Sequence, residues 1–154
     1  MSTDHVSPAE ACITEFTDPG CPWAYSAEPF RRRLEWLYGD RIEWRVCLVG
    51  LSETPEDYLA KGFTPEKQAQ AFNRIARDHG MPIDTSERPR MAATVPACRA
   101  VVAARRRVPE RERMLLRRLH VRTFSGELLD EPDTIAGAAS DAGLEPGELE
   151  EWCA

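Results

Sequence analysis

The chain has 154 residues, 42% of them hydrophobic and 30% charged, the make-up of a globular protein with one domain or a small domain plus an insertion. A formal net charge of −6, with 20 basic and 26 acidic residues scattered and no basic stripe, argues against nucleic acid or anionic membrane as partners. No stretch approaches the roughly 20 apolar residues that cross a bilayer, and Met1 to Glu10 lacks a signal-peptide layout, so a cytoplasmic protein is expected.

Residues 1–10 read as a polar tail. Ala11 to Thr17 reads as a short strand with an apolar face, ended by the turn signal Asp18-Pro19-Gly20. Cys21 follows directly. From Pro22, suited to a first helical position, Trp23, Ala27, Phe30, Leu34 and Leu37 recur at spacings of four and three and predict a helix with one buried stripe. Pro29 is expected to kink that helix, and Gly39-Asp40 to end it. Residues 41–49 alternate, with Ile42, Trp44, Val46 and Leu48 on one side and Glu43, Arg45 and Cys47 on the other, which predicts a second strand. Strand, helix and strand at this spacing make a βαβ unit with parallel strands and a right-handed crossover.

Beyond Gly50 the chain reads helical. Thr54-Pro55-Glu56 and Thr64-Pro65-Glu66 are cap-plus-proline starts, the second leading to His79. After a loop over 82–91, Thr94-Val95-Pro96 opens a helix through Arg106. Pro109 opens one carrying Met114, Leu115, Leu116, Leu119, Val121 and Phe124. Asp130-Glu131-Pro132-Asp133 starts a helix ending at Gly143, and Pro146 starts a last one reaching Trp152-Cys153-Ala154. The expected organisation is therefore a polar tail over 1–10, a βαβ half over 11–52 and a helical region over 53–154. Arg31-Arg32-Arg33 and Glu110-Arg111-Glu112-Arg113 read as solvated faces laced by helical ion pairs. His120, inside an apolar run, reads as a packed core histidine rather than a general base.

The five cysteines (12, 21, 47, 98 and 153) and three histidines share no ligand spacing, so no metal site is expected. Cys12, Cys47 and Cys98 read as small buried hydrophobes. Cys21 is different, because a thiol at a helix start sits at the positive end of the dipole beside unpaired N–H groups, where a thiolate is cheapest to form. Three residues on, where a dithiol enzyme has its second cysteine, stands Ala24. Trp23 reads as a wall of the site or as core, with Tyr25 on the other flank. Ser26 either donates to a sulfur one turn away or faces solvent. Cys98 is either a second thiol reaching Cys21 across a cleft or a buried residue on the Val101/Val102 face.

Thr14 to Thr17, Cys21-Pro22-Trp23-Ala24-Tyr25, strand 42–49, Pro96-Ala97-Cys98-Arg99-Ala100 and Arg118 to Gly143 together resemble the DsbA-like branch of the thioredoxin superfamily. The chain resembles in particular its cytoplasmic group of FrnE-like proteins, 2-hydroxychromene-2-carboxylate isomerases and kappa-class glutathione transferases. The resemblance implies an α/β fold, a thioredoxin-like βαβ unit with a large all-helical insertion. It also implies a closing ββα unit with a cis-proline loop facing the cysteine, which is not found. Val95-Pro96 imitates that dipeptide, but its plainer reading is a proline that opens a helix. Two accounts of the missing unit are open: a truncated form of a longer protein, or a homodimer in which a second copy completes the sheet. The resemblance puts Cys21 at the attacking position, while Ala24 departs from the resolving one. It therefore implies monothiol or glutathione-linked exchange, with glutathione as co-substrate, a small thiol or disulfide as partner, and no tightly bound cofactor. The alternatives are a non-catalytic thioredoxin-like binding module, and a glutathione-dependent isomerase of the hydroxychromene type.

Overall fold

A computed structural model describes residues 9–153; the expected polar tail lies almost wholly outside the described residues. The βαβ unit is present. Strand β1 (Ala11–Thr17) pairs in parallel with β2 (Ile42–Leu48), from Ala11 opposite Ile42 to Thr17 opposite Leu48. Helix α1 (Pro22–Tyr38) connects them. It starts on a proline whose absent N–H costs no helical bond and stops at Gly39, whose φ of +53° suits a residue without a side chain. Among the described residues these two strands are the whole sheet.

Six further helices follow among the described residues: α2 (Pro55–Ala60), α3 (Pro65–His79), α4 (Val95–Arg107), α5 (Glu112–Phe124), α6 (Pro132–Asp141) and α7 (Pro146–Cys153), all with the expected proline-led start except α5, which begins after a 3-10 turn over Pro109–Arg111 rather than at Pro109. Thr54 and Asp57 form a reciprocal capping box on α2, and the Thr64 hydroxyl accepts the Lys67 N–H at the head of α3. Val95-Pro96 opens α4 and no peptide is cis among the described residues. None of these helices is long and apolar enough to cross a membrane.

The main core lies between α4, α5, α6 and α7. Small residues on α4 (Ala97, Ala100, Val101, Ala104) let Leu115 and Leu119 of α5 and Leu149 of α7 approach closely, and all are buried. A second cluster of Tyr25, Phe72, Ile75, Ile83 and Phe124 ties α1 and α3 to α5, with Tyr25 stacked on Phe124 at 4.8 Å. His120 is buried beside that stack, as expected of a core histidine. On the sheet, Val46 and Leu48 pack on the main core, and Arg105 of α4 donates to the Val46 carbonyl at 2.9 Å.

Three expectations are corrected. The apolar stripe of α1 is not its buried face: Trp23, Ala27, Phe30, Leu34 and Leu37 are exposed, Phe30 by 70%, while Tyr25, Ser26 and Glu28 are buried. The physical reason is that α3 and α5 cover the Tyr25–Glu28 side, and no described element covers the other. Cys12 is exposed and Cys47 only half-buried, because their face of the sheet, with Phe16 70% exposed, has no layer over it. Cys98 alone of the three is buried.

The third correction concerns charge. Arg31 and Arg113 belong to a partly buried cluster, not a solvated face. Arg31 lies 3.5 Å from Glu15 and 3.8 Å from Glu28, while Arg113 reaches Glu15 and Glu35 and sits over the Trp44 ring at 5.5 Å. Glu28 is drawn inward by Arg117 and Arg32. Burial pushes its carboxyl up, but these two cations outweigh that and hold it below its ordinary value.

Candidate functional site

Asp18, Pro19 and Gly20 turn the chain from β1 into α1 at the seam with the helical region. The Asp18 Oδ1 accepts the Gly20 N–H at 2.8 Å, a local turn that the Asp-Pro-Gly sequence encodes, and the Asp18 carbonyl accepts the Cys21 N–H at 2.9 Å. Gly20 is needed for closeness rather than for an unusual φ, since a Cβ there would stand 2.7 Å from Thr94 Cγ2.

Cys21 is thereby delivered in extended backbone (φ −87°, ψ 111°) as the N-cap of α1. Its carbonyl takes the first helical bond, from Tyr25 N–H at 3.1 Å, and its partly exposed sulfur makes no capping bond. Pro22 has no N–H to offer, so the donors at this helix end are the amides of Trp23 and Ala24, neither of which has a backbone acceptor. An N-cap side chain is the natural acceptor for those two amides. The position of Ala24 therefore keeps its backbone donor although its side chain carries no thiol.

Trp23 is 54% exposed and meets the His79 ring edge-on at 5.3 Å, so it forms an open shelf beside the thiol rather than core. Tyr25 is buried in the stack with Phe124. Ser26 is buried, not solvent-facing, and its hydroxyl has no hydrogen-bond partner. Cys98, the second thiol considered, is buried and donates to Asp18 Oδ2 at 3.4 Å. Burial first, and then the Asp18 charge, push its thiol up to about 12. That is the environment of a buried structural residue, not of a resolving nucleophile.

Sequence reading passed over four residues here. Asp18 registers only as a turn former, yet its carboxylate also accepts the Leu51 N–H (2.9 Å) and the Thr94 hydroxyl (2.9 Å). Tyr58 is half-buried within electrostatic reach of Asp18, Cys21 and Cys98; burial and the Asp18 charge raise its hydroxyl well above the ordinary tyrosine value and keep it protonated. His79 meets the site through Trp23, and Thr94 through Asp18, Ser52 and the close approach of its Cγ2 to Gly20. The local bond from Asp18 to Gly20 is legible in sequence; the long-range partners carry no local signal.

The sequence profile of the DSBA-like thioredoxin domain matches residues 12–154. No curated protein matches the chain. Among solved structures, a Nitrosomonas europaea protein provisionally assigned as a protein disulfide isomerase superposes with a TM-score of 0.76 at 19% identity, over 92% of this chain and 69% of its own. The cytosolic disulfide reductase DsbM from Pseudomonas aeruginosa gives 0.68 at 21% identity, over 92% and 68%. Its structure with GSH gives 0.69 at 22%, over 92% and 69%. Likeness at these identities speaks to the fold.

Proposed function

Because the chain belongs to the DSBA-like thioredoxin domain family, we propose that it carries out thiol–disulfide exchange through Cys21 alone, with glutathione as the co-substrate. The Cys21 thiolate attacks one sulfur of a disulfide. A new bond joins Cys21 to that sulfur, the old sulfur–sulfur bond breaks, and the other half leaves as a thiolate that takes up a proton. Ala24 supplies no second thiol, so the mixed disulfide is resolved from outside. A glutathione thiolate attacks the sulfur bound to Cys21, and Cys21 departs as the thiolate. The open Trp23 shelf offers an apolar surface for the small thiol or disulfide.

The observation that carries this reading is the contrast between two thiols. Cys21 is partly exposed at a helix start whose Trp23 and Ala24 amides have no backbone acceptor, while Cys98 is buried and held protonated. That the Pseudomonas aeruginosa disulfide reductase was solved with GSH makes glutathione the first thiol to try.

The test is incubation of the full chain with oxidised glutathione, followed by peptide-resolved mass spectrometry. A glutathione adduct on the Cys21 peptide, released by reduced glutathione, is the expected result. Cys21→Ser should lose disulfide exchange while keeping its thermal transition. No adduct at Cys21, or an exchange rate that survives Cys21→Ser, would leave the non-catalytic binding module as the better account.

A further inference from the structure

The exchange reading explains why Cys21 stands where it does but leaves unexplained a wholly buried carboxylate three residues before it. Asp18 bonds in two directions. Toward the site, its Oδ1 holds the Gly20 amide and its carbonyl holds the Cys21 amide. Toward the helical region, Oδ2 accepts the Leu51 amide, the Thr94 hydroxyl at the head of α4 and the Cys98 thiol. The Asp18 carbonyl also faces Nε2 of His120 on α5 at 3.1 Å, so that nitrogen carries the proton. Thr94 is tied independently to the loop after β2: its hydroxyl accepts the Ser52 N–H at 3.3 Å and its own N–H donates to the Ser52 carbonyl at 3.0 Å.

A turn that needed only to reverse direction would use the Asp18–Gly20 bond alone. The further donors come from the β2–α2 loop, α4 and α5, and they converge on the one residue that also holds the Cys21 amide. Gly20 and Cys21 are prevented by these bonds from turning their own N–H groups toward the sulfur. That leaves the Trp23 and Ala24 amides as the donors without an acceptor at this helix end, and fixes the backbone that carries the thiol beside them.

We infer that Asp18 is the positioning residue of the site: it sets the N-cap geometry of Cys21 and ties it to the helical region through Thr94, Cys98 and His120. This inference rests on the reading of Cys21 as nucleophile, yet the two fail by different results.

The experiment uses the full chain and two readouts, amide exchange of Gly20 by nitrogen-15 NMR, and iodoacetamide labelling of Cys21 relative to the exposed Cys12. In Asp18→Ala, which removes both carboxylate oxygens and leaves the backbone carbonyl that holds the Cys21 amide, the Gly20 amide should exchange about tenfold faster, the equivalent of one lost hydrogen bond, and Cys21 should label more slowly relative to Cys12. Faster labelling would overturn the inference, since it would mean that Asp18 acts only as a nearby negative charge. Unchanged amide exchange would overturn it as well. Should Asp18→Ala not fold, Thr94→Val and Thr94→Ser decide the matter. Thr94→Val is expected to reproduce both changes and Thr94→Ser, which keeps the hydroxyl, to reverse them; equal behaviour of the pair overturns the inference. If wild-type Cys21 labels no faster than Cys12, the nucleophile reading fails by itself, and amide exchange still judges Asp18.

Discussion

The helical region and the βαβ half are built to different degrees of closure. Between α4, α5, α6 and α7, leucines meet small residues and are buried on every side, so that Leu115, Leu119 and Ala104 expose nothing. In the βαβ half one sheet face is bare, and α1 turns Phe30, Trp36 (83% exposed) and Leu37 outward. Yet Cys21, the proposed nucleophile, belongs to the less enclosed half. The order of the candidate site is supplied across the seam, by Tyr25 against Phe124 and by the bonds to Asp18, rather than by the half in which Cys21 lies.

Mutations on either side of the seam test how far the two halves depend on one another. Leu119→Ala removes a fully buried side chain from the main core and should cost about 2–5 kcal/mol by denaturant unfolding, with the βαβ half lost in the same transition. A separate, earlier transition of the helical region would show that the βαβ half holds its order without it. At the seam, Gly20→Ala places a methyl 2.7 Å from Thr94 Cγ2 and should cost about 1–3 kcal/mol, with slower labelling of Cys21.

A pH dependence also belongs to the seam. Burial holds the His120 imidazole below its ordinary value, so the unfolded chain takes up this proton at a higher pH than the folded one. Stability from the neutral ring is complete above about pH 6.5 and declines as the pH drops below that value. Wild type should therefore lose more thermal stability between about pH 7 and about pH 5 than His120→Gln, and equal slopes would remove His120 from the account. At the other extreme, Phe16→Ser on the bare sheet face should change stability by no more than about 0.5 kcal/mol.

Much of this fold is legible in sequence where the signal is local. Proline-led starts mark α2, α3, α4, α6 and α7, alternation marks β2, and Asp18-Pro19-Gly20 marks the turn before Cys21. What misleads is the helical stripe of α1. Periodicity identifies an apolar face but not whether anything lies over it, and here the face from Trp23 to Leu37 is bare while polar Ser26 and Glu28 lie inward. Glu28 is tolerated inside because Arg117 comes from α5, 89 residues away in the chain. The site is legible to a similar degree. Cys21 and the absence of a thiol at position 24 are plain, whereas the engagement of Asp18 by Leu51, Thr94, Cys98 and His120 depends on contacts no local pattern encodes.

The alanine at position 24 has a kinetic meaning under the proposed chemistry. With only a methyl group one turn into α1, nothing on the same helix can cut short the covalent intermediate once it has formed. Its lifetime then follows the concentration and ionisation of thiols in the surrounding solution, so the fraction of molecules held in that state would serve as a gauge of how reducing those surroundings are.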